Sequence, residues 1–356
     1  MTDLHSQTSP HEKAGIYDDD RSSLPAKVRI LLEPSLYHRG ASVETIETHF
    51  SWVFLVGGSV YKLKKPLKKS FLDLSTIALR RQNCETEVIL NQRLTYEVYF
   101  GVEALTVDPI GRFHLTPLPS PLSGGAIDFV VHQRRLDPSI GMGQLLKNRA
   151  IKSAQLEALV QHLVAFYARQ TPIGWNGDSY LTRLRAELVD CAQAFMAIES
   201  DDIRAPFSVI HSLEHFLKAT NDDFARESVL SRIVEGHGDL RPEHIFFEEV
   251  PQIIDCLEFS YDLRCRDALD EVANLAMECD ILGHKDVGNY LIETFVTIER
   301  IRDEAHLWAF YAAFRALVRA KLVAWRIANG HGADLERWRS RLKVYWAVAE
   351  KYAGFL

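Results

Sequence analysis

The stretch from Val234 to Phe259 constrains the fold of this chain more than any other, because it combines two strand-like segments with a polar turn. It reads VEGHGDLRPEHIFFEEVPQIIDCLEF. The segments Ile245 to Phe247 and Gln252 to Asp255 are short and apolar, which predicts two strands on either side of the turn. Acidic and histidine side chains would then lie near the ends of these strands.

Three side chains in this stretch match the needs of phosphoryl transfer. Such a site needs one carboxylate to orient the attacking hydroxyl, a second to hold a metal ion on the nucleotide phosphates, and another ligand to complete the shell of the cation. Asp239, Asp255 and His244, in that order, are the candidates. Arg241 lies two residues beyond Asp239, within reach of a phosphate or of Asp239 itself, and is a further catalytic candidate.

The sequence HGDLRPEH followed by IIDCLEF resembles the catalytic loop and metal-binding strand of aminoglycoside phosphotransferases and choline kinases, whose fold is related to that of protein kinases. The loop of that superfamily usually reads H-G-D-L-x-x-x-N, and an apolar-apolar-Asp strand end follows about a dozen residues later. The resemblance implies that Asp239 receives the acceptor hydroxyl, that Asp255 binds the cation and that His237 braces the loop. His244 stands where the superfamily has Asn.

The histidine at position 244 leaves three interpretations open. Imidazole offers a nitrogen ligand, which favours Mn²⁺ or another transition metal over Mg²⁺. In the first interpretation, His244 is a metal ligand with this altered preference. In the second, Asp255 holds the metal without it, and in the third the site binds a nucleotide without transferring phosphate.

Composition and net charge indicate the general class of protein. The chain has 356 residues, of which 47% are apolar and 25% charged, as is typical of a globular protein with a large core. The net charge of −7 argues against a dedicated nucleic-acid binder, which normally carries a basic excess. Oligomeric state cannot be read from these values.

Cysteine usage and hydropathy indicate the expected compartment. The five cysteines, at positions 84, 191, 256, 265 and 279, form no CxxC pair, so neither a disulfide framework nor a zinc site is predicted. The first twenty or so residues lack the apolar stretch of a signal peptide, and no segment has the uninterrupted apolar length of a spanning helix. We therefore expect a cytoplasmic protein without a membrane partner.

The N-terminal third predicts an antiparallel sheet after a polar tail. Residues 1–23 are rich in Ser, Thr, His and Asp, which predicts a flexible tail. Strands are predicted from Val43 to Thr48, from Ser51 to Val56 and from Ser59 to Lys64, with a Gly57-Gly58 hairpin between the last two. Ala126 to Arg134 is predicted as the last strand of this region.

A lysine on the third predicted strand is a candidate for phosphate binding. Side chains alternate along a strand, so Val60 and Lys62 share one face. The kinase-like fold needs a small residue and a phosphate-pairing lysine at this spacing. Lys64 is the alternative to Lys62. A helix predicted from Ser75 to Leu94 carries Glu87, the expected partner of the lysine, with Glu85 as its alternative.

A second resemblance covers roughly residues 25 to 330. The run ETHFSWVFLVGGSVYKLKKPLKKSFLDLST, continuing into CETEVILNQRL, is similar to a bacterial branch of the superfamily in which the substrate is mostly unassigned. It implies an α+β, bilobal, protein-kinase-like fold, with an antiparallel-sheet lobe over 24–135 and a mainly helical lobe over 136–356. The connection between lobes would meet the adenine edge, although an ordinary strand exit is the alternative. The residues of this connection are Gln133, Arg134, Arg135 and Leu136.

The C-terminal two thirds change to a helical period from about Gly143. Helices are predicted around Tyr180 to Glu199, Pro206 to Thr220, Asp222 to Val234 and Ala305 to Ala328. Arg315 and Arg319 lie four residues apart on the last of these, which favours a solvated or salt-bridged face over contact with an anionic substrate.

Acidic residues beyond the metal strand complete the candidates. Asp267 and Glu271 lie one helical turn apart and so share a face. The resemblance implies that residues at these two positions brace the catalytic loop or approach a cationic substrate, and bracing is the favoured role. Glu258, three residues beyond Asp255, is a candidate for a second metal contact or an end cap.

These observations together predict an ATP-dependent phosphotransferase that acts on a hydroxyl of a small molecule, with Mg²⁺ as cofactor and Mn²⁺ as the alternative. Two other functions stay open: a nucleotide-binding pseudokinase that acts through protein partners, and transfer of AMP to a protein. The identity of the acceptor is not encoded in any motif of the chain.

Overall fold

The computed structural model describes residues 23–37, 42–69, 71–120, 125–198, 203, 205–220, 224, 226–301, 305–330 and 334–356. These residues form two compact units. The first unit comprises the described residues up to Asp137 together with Glu258–Ser260, and the second comprises Pro138–Leu257 and Tyr261–Leu356. Of the predicted tail over 1–23, only Ser23 is among the described residues, and it caps the first helix by accepting a hydrogen bond from Ala26 N.

An antiparallel sheet of six strands organises the first unit, in the order β1-β2-β3-β8-β6-β7. The strands are β1 (Val43–Glu47), β2 (Ser51–Val56), β3 (Ser59–Lys64), β6 (Tyr99–Val107), β7 (Phe113–Pro117) and β8 (Ala126–Arg134), with a small hairpin of β4 (Lys68–Lys69) and β5 (Leu72–Asp73). The predicted bounds of β2, β3 and β8 are confirmed.

Two helices, α1 (Leu24–Leu32) and α2 (Ile77–Gln92), pack on this sheet. The apolar core on the α1 side includes Leu31, Phe54 and Leu63. Because side chains alternate along β3, Lys62 and Lys64 point to the other face, where α2 packs against β8. The sheet register therefore brings the two lysines to the α2 side.

Helices dominate the second unit. They are α3 (Met142–Lys147), α4 (Ser153–Ala168), α5 (Gly177–Met196), α6 (Phe207–Ala219), α7 (Glu227–Leu230), α8 (Tyr261–Arg264), α9 (Ala268–Ile281), α10 (Lys285–Ile298), α11 (Ala305–Ala328) and α12 (Leu335–Ala353). Two short antiparallel ladders pair β9 (Ile233–Glu235) with β12 (Cys265–Asp267) and β10 (Ile245–Phe247) with β11 (Pro251–Ile253). The predicted class, an α+β fold with an antiparallel N-terminal sheet and a mainly helical C-terminal part, is confirmed.

Two sequence predictions in the second unit are wrong. Of the helix predicted from Asp222 to Val234, Phe224 and α7 are helical, whereas Ile233 and Val234 pair with β12 as a strand; residues 222, 223 and 225 lie outside the described residues. The strand predicted from Gln252 to Asp255 begins at Pro251 and ends at Ile253. Asp255 has φ of 66°, a left-handed conformation that cannot continue a strand.

Helix α9 lies at the centre of the second unit and is buried from Ala268 to Cys279. Its buried polar side chains include Asp270, Glu271, Asn274 and Glu278, and buried polar groups require partners. All five cysteines are buried free thiols. Among the helices of the described residues, none has an apolar run sufficient to cross a membrane.

Candidate active site

The loop between β9 and β10 carries the HGDLRPEH sequence and is held against the segment that follows β11. Leu257 N donates to His237 O at 2.9 Å, and Ile254 N donates to His244 O at 2.9 Å. A short 3₁₀ turn, Pro242–His244, ends the loop. Asp239 and Asp255 are thus positioned on two neighbouring stretches of backbone that hydrogen bond to each other.

His237 fixes the centre of the loop through both ring nitrogens. Nε2 donates to Ile254 O at 2.9 Å, while Nδ1 accepts from Asp239 N at 3.2 Å. Only a neutral ring with its proton on Nε2 makes both bonds. Burial lowers the pKa of His237, in keeping with the neutral form. His237 therefore braces the backbone that carries Asp239.

Glu271 holds the same loop from α9. Its carboxylate accepts hydrogen bonds from His237 N at 2.8 Å, from Gly238 N at 2.5 Å and from Tyr167 Oη at 2.8 Å. A Cβ atom at Gly236 would collide with this carboxylate. Gly238 has φ of 92°, and its missing side chain leaves room for Leu257. The glycines of the motif are thus required by the close approach of Glu271 and Leu257.

Asp239 lies between two guanidinium groups. Arg319 Nη1 of α11 is 3.3 Å from Oδ1, and Arg241 Nη1 is 4.0 Å from Oδ2. Burial by itself raises the pKa of this carboxyl, but the positive charge around it, chiefly that of Arg319, outweighs burial and holds the pKa below its ordinary value. Asp239 is therefore a carboxylate at neutral pH, and 28% of its side chain is exposed.

Glu278 of α9 anchors both arginines. Its Oε1 lies 3.5 Å from Arg241 Nε and 3.3 Å from Arg319 Nε, and it accepts a hydrogen bond from Tyr345 Oη at 3.1 Å. Arg241 also pairs with Glu243. The arginines next to Asp239 are therefore held in place by a buried carboxylate from a neighbouring helix.

His244 and Asp255 form a donor pair that suits a divalent cation. His244 Nδ1 donates to Asp239 O at 2.9 Å, which leaves the lone pair of a neutral ring on Nε2. Nε2 lies 3.7 Å from Asp255 Oδ2. A metal-ligating histidine usually donates its other N–H to a carbonyl or carboxylate in this manner. The described residues contain no cluster of three or more His, Cys, Asp or Glu that could hold a metal, so further ligands would be water or phosphate oxygens.

The first unit contains a buried cluster of two lysines and two carboxylates. Lys62 Nζ lies 2.9 Å from Glu87 Oε1, and Lys64 Nζ lies 2.5 Å from Glu87 Oε2 and 2.6 Å from Glu258 Oε1. Glu85 instead pairs with Arg81 on the exposed side of α2. Glu87, and not its alternative, is thus the acid that faces the lysines.

The two lysines differ in accessibility. The side chain of Lys62 is 13% exposed, compared with 4% for Lys64. Burial alone lowers the pKa of Lys64, but Glu258 and Glu87 outweigh this and raise it. Lys64 is therefore a buried structural cation, and Lys62 is the better placed of the two to bind a ligand.

The predicted adenine-binding segment lies at the end of β8. Val60 of β3 is opposite Gln133, and both are buried. Arg134 N donates to Val98 O and Arg135 N donates to Gly58 O, each at 2.7 Å. These two N–H groups are therefore used in hydrogen bonds within the first unit. Leu136, the last residue of the segment, is buried, and its N–H stays a candidate for the base edge.

Several known proteins are similar to this chain in sequence. No protein-family model matches the chain. In sequence it is 30% identical over 295 residues, 81% of its length, to uncharacterized proteins of Mycobacterium bovis and Mycobacterium tuberculosis. The match covers 56% of those proteins, so the chain spans about half the length of the curated relatives it matches.

Several solved structures have a fold similar to that of this chain. The choline kinase LicA of Streptococcus pneumoniae matches with a TM-score of 0.55 and 14% identity, over 93% of this chain and 99% of that one. A choline/ethanolamine kinase family protein of Mesorhizobium loti gives a TM-score of 0.52 at 14% identity, over 93% and 99%. The GDP complex of aminoglycoside 2'-phosphotransferase-IIIa gives 0.50 at 14% identity, over 94% and 99%.

The chain has the fold of the aminoglycoside phosphotransferase and choline kinase superfamily. Within this superfamily fold, the structure brings Asp239, Arg241, His244 and Asp255 together on adjacent backbone segments of the second unit. It brings Val60, Lys62, Glu87 and the segment at the end of β8 together in the first unit. Their roles toward a nucleotide and an acceptor stay predictions.

Sequence reasoning missed Glu278, the partners of Arg319 and the partner of Glu258. Glu278 was not singled out, although Glu271, Asn274 and Glu278 share one face of α9, a spacing that indicates a row of buried polar side chains. Arg319 was expected on a solvated or salt-bridged face, and it is salt-bridged, but its partners Asp239 and Glu278 were not foreseen. Glu258 pairs with Lys64 inside the first unit, a partner that the sequence analysis did not consider.

Proposed function

We propose that the chain is an ATP-dependent phosphotransferase that acts on a hydroxyl of a small molecule. The observation that carries this proposal is the arrangement around Asp239. An ionised, partly exposed carboxylate is held on a braced loop, and the His244 and Asp255 donor pair lies on the adjacent backbone. Phosphoryl transfer depends mainly on positioning and charge neutralisation, which such a site supplies.

Asp239 would accept a hydrogen bond from the acceptor hydroxyl and orient its oxygen for attack. Its lowered pKa keeps it ionised at neutral pH, so it is ready to accept the hydroxyl proton. The proton is transferred late in a loose transition state, so a weak base suffices. Arg241 and Arg319 would limit the motion of the carboxylate and add positive charge where negative charge gathers.

Lys62 would pair with nucleotide phosphates, with Glu87 as its orienting partner. Lys64, buried between two carboxylates, would keep Glu87 in place. Val60 and Leu136 offer apolar surface for a base. Because one of the fold neighbours was solved with GDP, both ATP and GTP belong in the test of nucleotide preference.

His244 and Asp255 would hold the divalent cation, Mg²⁺ or Mn²⁺. The bound cation would neutralise phosphate charge as the phosphoryl group is transferred. The nitrogen of His244 favours Mn²⁺ over Mg²⁺ relative to an all-oxygen site. The hydrogen bond from His244 to Asp239 O links the orientation of this ligand to the loop that carries the catalytic carboxylate.

Replacement of the catalytic carboxylate tests the proposal. Asp239→Asn is expected to lower acceptor-dependent release of ADP by at least about a hundredfold, while binding of a non-hydrolysable ATP analogue persists. Asp190→Asn, an exposed position on α5, is the matched control. Equal turnover in Asp239→Asn and in the wild type would exclude Asp239 from the mechanism.

One observation favours the pseudokinase as second candidate, because Arg319 lies against Oδ1 of Asp239 and restricts that oxygen. Metal-dependent binding of ATP analogues without any product, across sugars, amino alcohols, aminoglycosides, nucleosides and hydroxy acids, would support it. Separate labels on the α- and γ-phosphates distinguish transfer of AMP to protein from transfer of phosphate.

A further inference from the structure

Arginine side chains from three elements lie within electrostatic range of Arg326, and two of them contact Asp239. Arg241 comes from the catalytic loop, Arg319 and Arg326 from α11, and Arg341 from α12. Hydrogen bonds connect the set: Arg341 Nη2 donates to Tyr345 Oη at 3.0 Å, and Tyr345 Oη donates to Glu278 Oε1 at 3.1 Å. Glu278 in turn contacts the Nε atoms of Arg241 and Arg319.

Among the described residues, the four arginines of this cluster face three carboxylates, Asp239, Glu243 and Glu278, all of which contact Arg241 or Arg319. Glu278 is a single carboxylate shared by two guanidinium groups and a tyrosine. Within the described part of the chain, the buried Nε atoms of Arg241 and Arg319 make no hydrogen bond. Glu243 is exposed, and Asp239 is the carboxylate assigned to the acceptor hydroxyl. The positive charge is therefore only partly compensated.

The outer arginines are accessible. Arg326 lies 4.6 Å from the centroid of the Trp338 ring, and Arg341 lies 5.4 Å from that of Tyr345. Both residues are exposed, and among the described residues neither forms an ion pair with a carboxylate. Burial lowers the pKa of Arg326, and the nearby charges of Arg319, Arg341 and Arg241 lower it further. Like charges thus crowd together here, which is costly unless an anion joins them.

We infer that the acceptor carries an anionic group, a carboxylate or a phosphate, beside its hydroxyl, and that Arg319, Arg341 and their neighbours receive it. This inference rests on the proposed function, because it assigns the acceptor to Asp239. Guanidinium groups bind carboxylates and phosphates through paired N–H donors. A cationic acceptor, such as an amino alcohol or an aminoglycoside, would meet repulsion at the same place.

Binding of inorganic phosphate tests the anion site without knowledge of the acceptor. Titration calorimetry at constant ionic strength should show phosphate binding that chloride does not reproduce. Arg319→Gln should weaken it by about tenfold or more, as expected for the loss of a charge-assisted hydrogen bond. Arg341→Gln should weaken it severalfold, and it tests an exposed position where unfolding is not expected.

Two control variants separate this site from others. Arg337→Gln lies one turn before Arg341 on α12, is 75% exposed and should bind phosphate as the wild type does. Lys62→Met reports on phosphate bound at the predicted nucleotide lysine. Phosphate binding that is lost in Lys62→Met and unaffected by Arg319→Gln and Arg341→Gln would overturn the inference, as would binding no tighter than that of chloride.

Matched acceptors then connect the anion site to the reaction. Release of ADP from ATP is measured with glycerol, glycerate, glycerol 3-phosphate and choline. Stimulation by glycerate or glycerol 3-phosphate, but not by glycerol or choline, supports the inference. Phosphorylation of choline in preference to the anions would overturn it and leave the proposed function intact. Arginine-dependent phosphate binding in a protein that binds no nucleotide would instead refute the proposed function and leave the anion site standing.

Discussion

The catalytic loop and the lysine cluster use opposite arrangements of similar charges. In the second unit, Asp239 is 28% exposed and faces two arginines that are anchored from behind. In the first unit, the side chain of Glu87 is 2% exposed and faces two lysines, of which Lys62 is the more accessible. The group left accessible to a ligand is thus the Asp239 carboxylate in the second unit and the Lys62 ammonium group in the first.

The supporting structure also differs. Glu87 and its lysines lie on a regular helix and a regular strand, where the spacing of residues sets their positions. Asp239 lies on an irregular loop, so its position depends on hydrogen bonds that His237 Nδ1 and the Glu271 carboxylate accept from the loop backbone. The backbone of the first cluster should therefore keep its geometry after a single substitution, even where stability is lost. The geometry of the loop should instead depend strongly on a few buried side chains.

The largest effect on stability is expected for Lys64. Lys64→Met removes a buried cation between Glu87 and Glu258, and the free energy of unfolding should fall by about 3 kcal/mol or more. Lys62→Met should cost less stability than Lys64→Met, because the Lys62 side chain is 13% exposed against 4% for Lys64, and it should instead weaken nucleotide binding. Urea denaturation and titration with a fluorescent ADP analogue measure the two quantities. Equal effects of both variants on both quantities would erase the assigned difference between the lysines.

A somewhat smaller loss is expected for Glu271. Glu271→Ala leaves the N–H groups of His237 and Gly238 without their acceptor, which should lower the free energy of unfolding by about 2 kcal/mol and abolish turnover. Glu293→Ala, at an exposed position on α10, is the control and should change neither. Thermal unfolding and ADP release are the measurements. Normal turnover in Glu271→Ala would show that the loop holds its geometry without this carboxylate.

A pH effect of intermediate size is expected from His237. Burial lowers its pKa in the folded state, so the unfolded state takes up this proton more readily. Its contribution is fully present above the unfolded pKa of about 6.5 and is lost as pH falls below it, by up to about 1.4 kcal/mol per pH unit. The free energy of unfolding measured from pH 7.5 to 5 should fall less steeply in His237→Gln than in the wild type. His211→Gln, 90% exposed, should keep the wild-type slope.

The smallest effect is expected on the outer side of α2. Glu85 forms an exposed pair with Arg81, so Glu85→Gln should change the free energy of unfolding by less than about 0.5 kcal/mol and leave nucleotide binding unchanged. Glu87→Gln should weaken nucleotide binding, because Lys62 loses its orienting partner. Nucleotide titrations of the two variants side by side check this. A stronger effect from Glu85→Gln would reverse the choice between the two acids.

Sequence reasoning performed best where periodicity and local motifs determine structure. The bounds of β2, β3 and β8 follow from alternation and a glycine turn, and the facing of Lys62 toward α2 follows from the same alternation. The sequence narrowed the partner acid on α2 to Glu87 or Glu85, and the structure places Glu87 against Lys62 and Glu85 against Arg81. These are local properties of single elements.

It performed less well where the outcome depends on distant residues. The strand β9 was mistaken for helix because its partner β12 lies some thirty residues further along, and short apolar runs fit either structure. The contact of Arg319 with Asp239 spans 80 residues, and no local pattern distinguishes it from an arginine on a solvated face. The direction of the His244 ring also depends on the loop geometry, and the three interpretations of this residue stay predictions.

The left-handed backbone at Asp255 limits which substitutions can test its proposed role as a metal ligand. Alanine there removes the carboxylate and also disfavours the sharp bend after β11, so two effects would be mixed in one measurement. Asparagine and glycine accept this bend readily. The same residue both turns the chain and presents an oxygen toward His244, so Asp255→Asn is the substitution that removes the negative charge and keeps the bend.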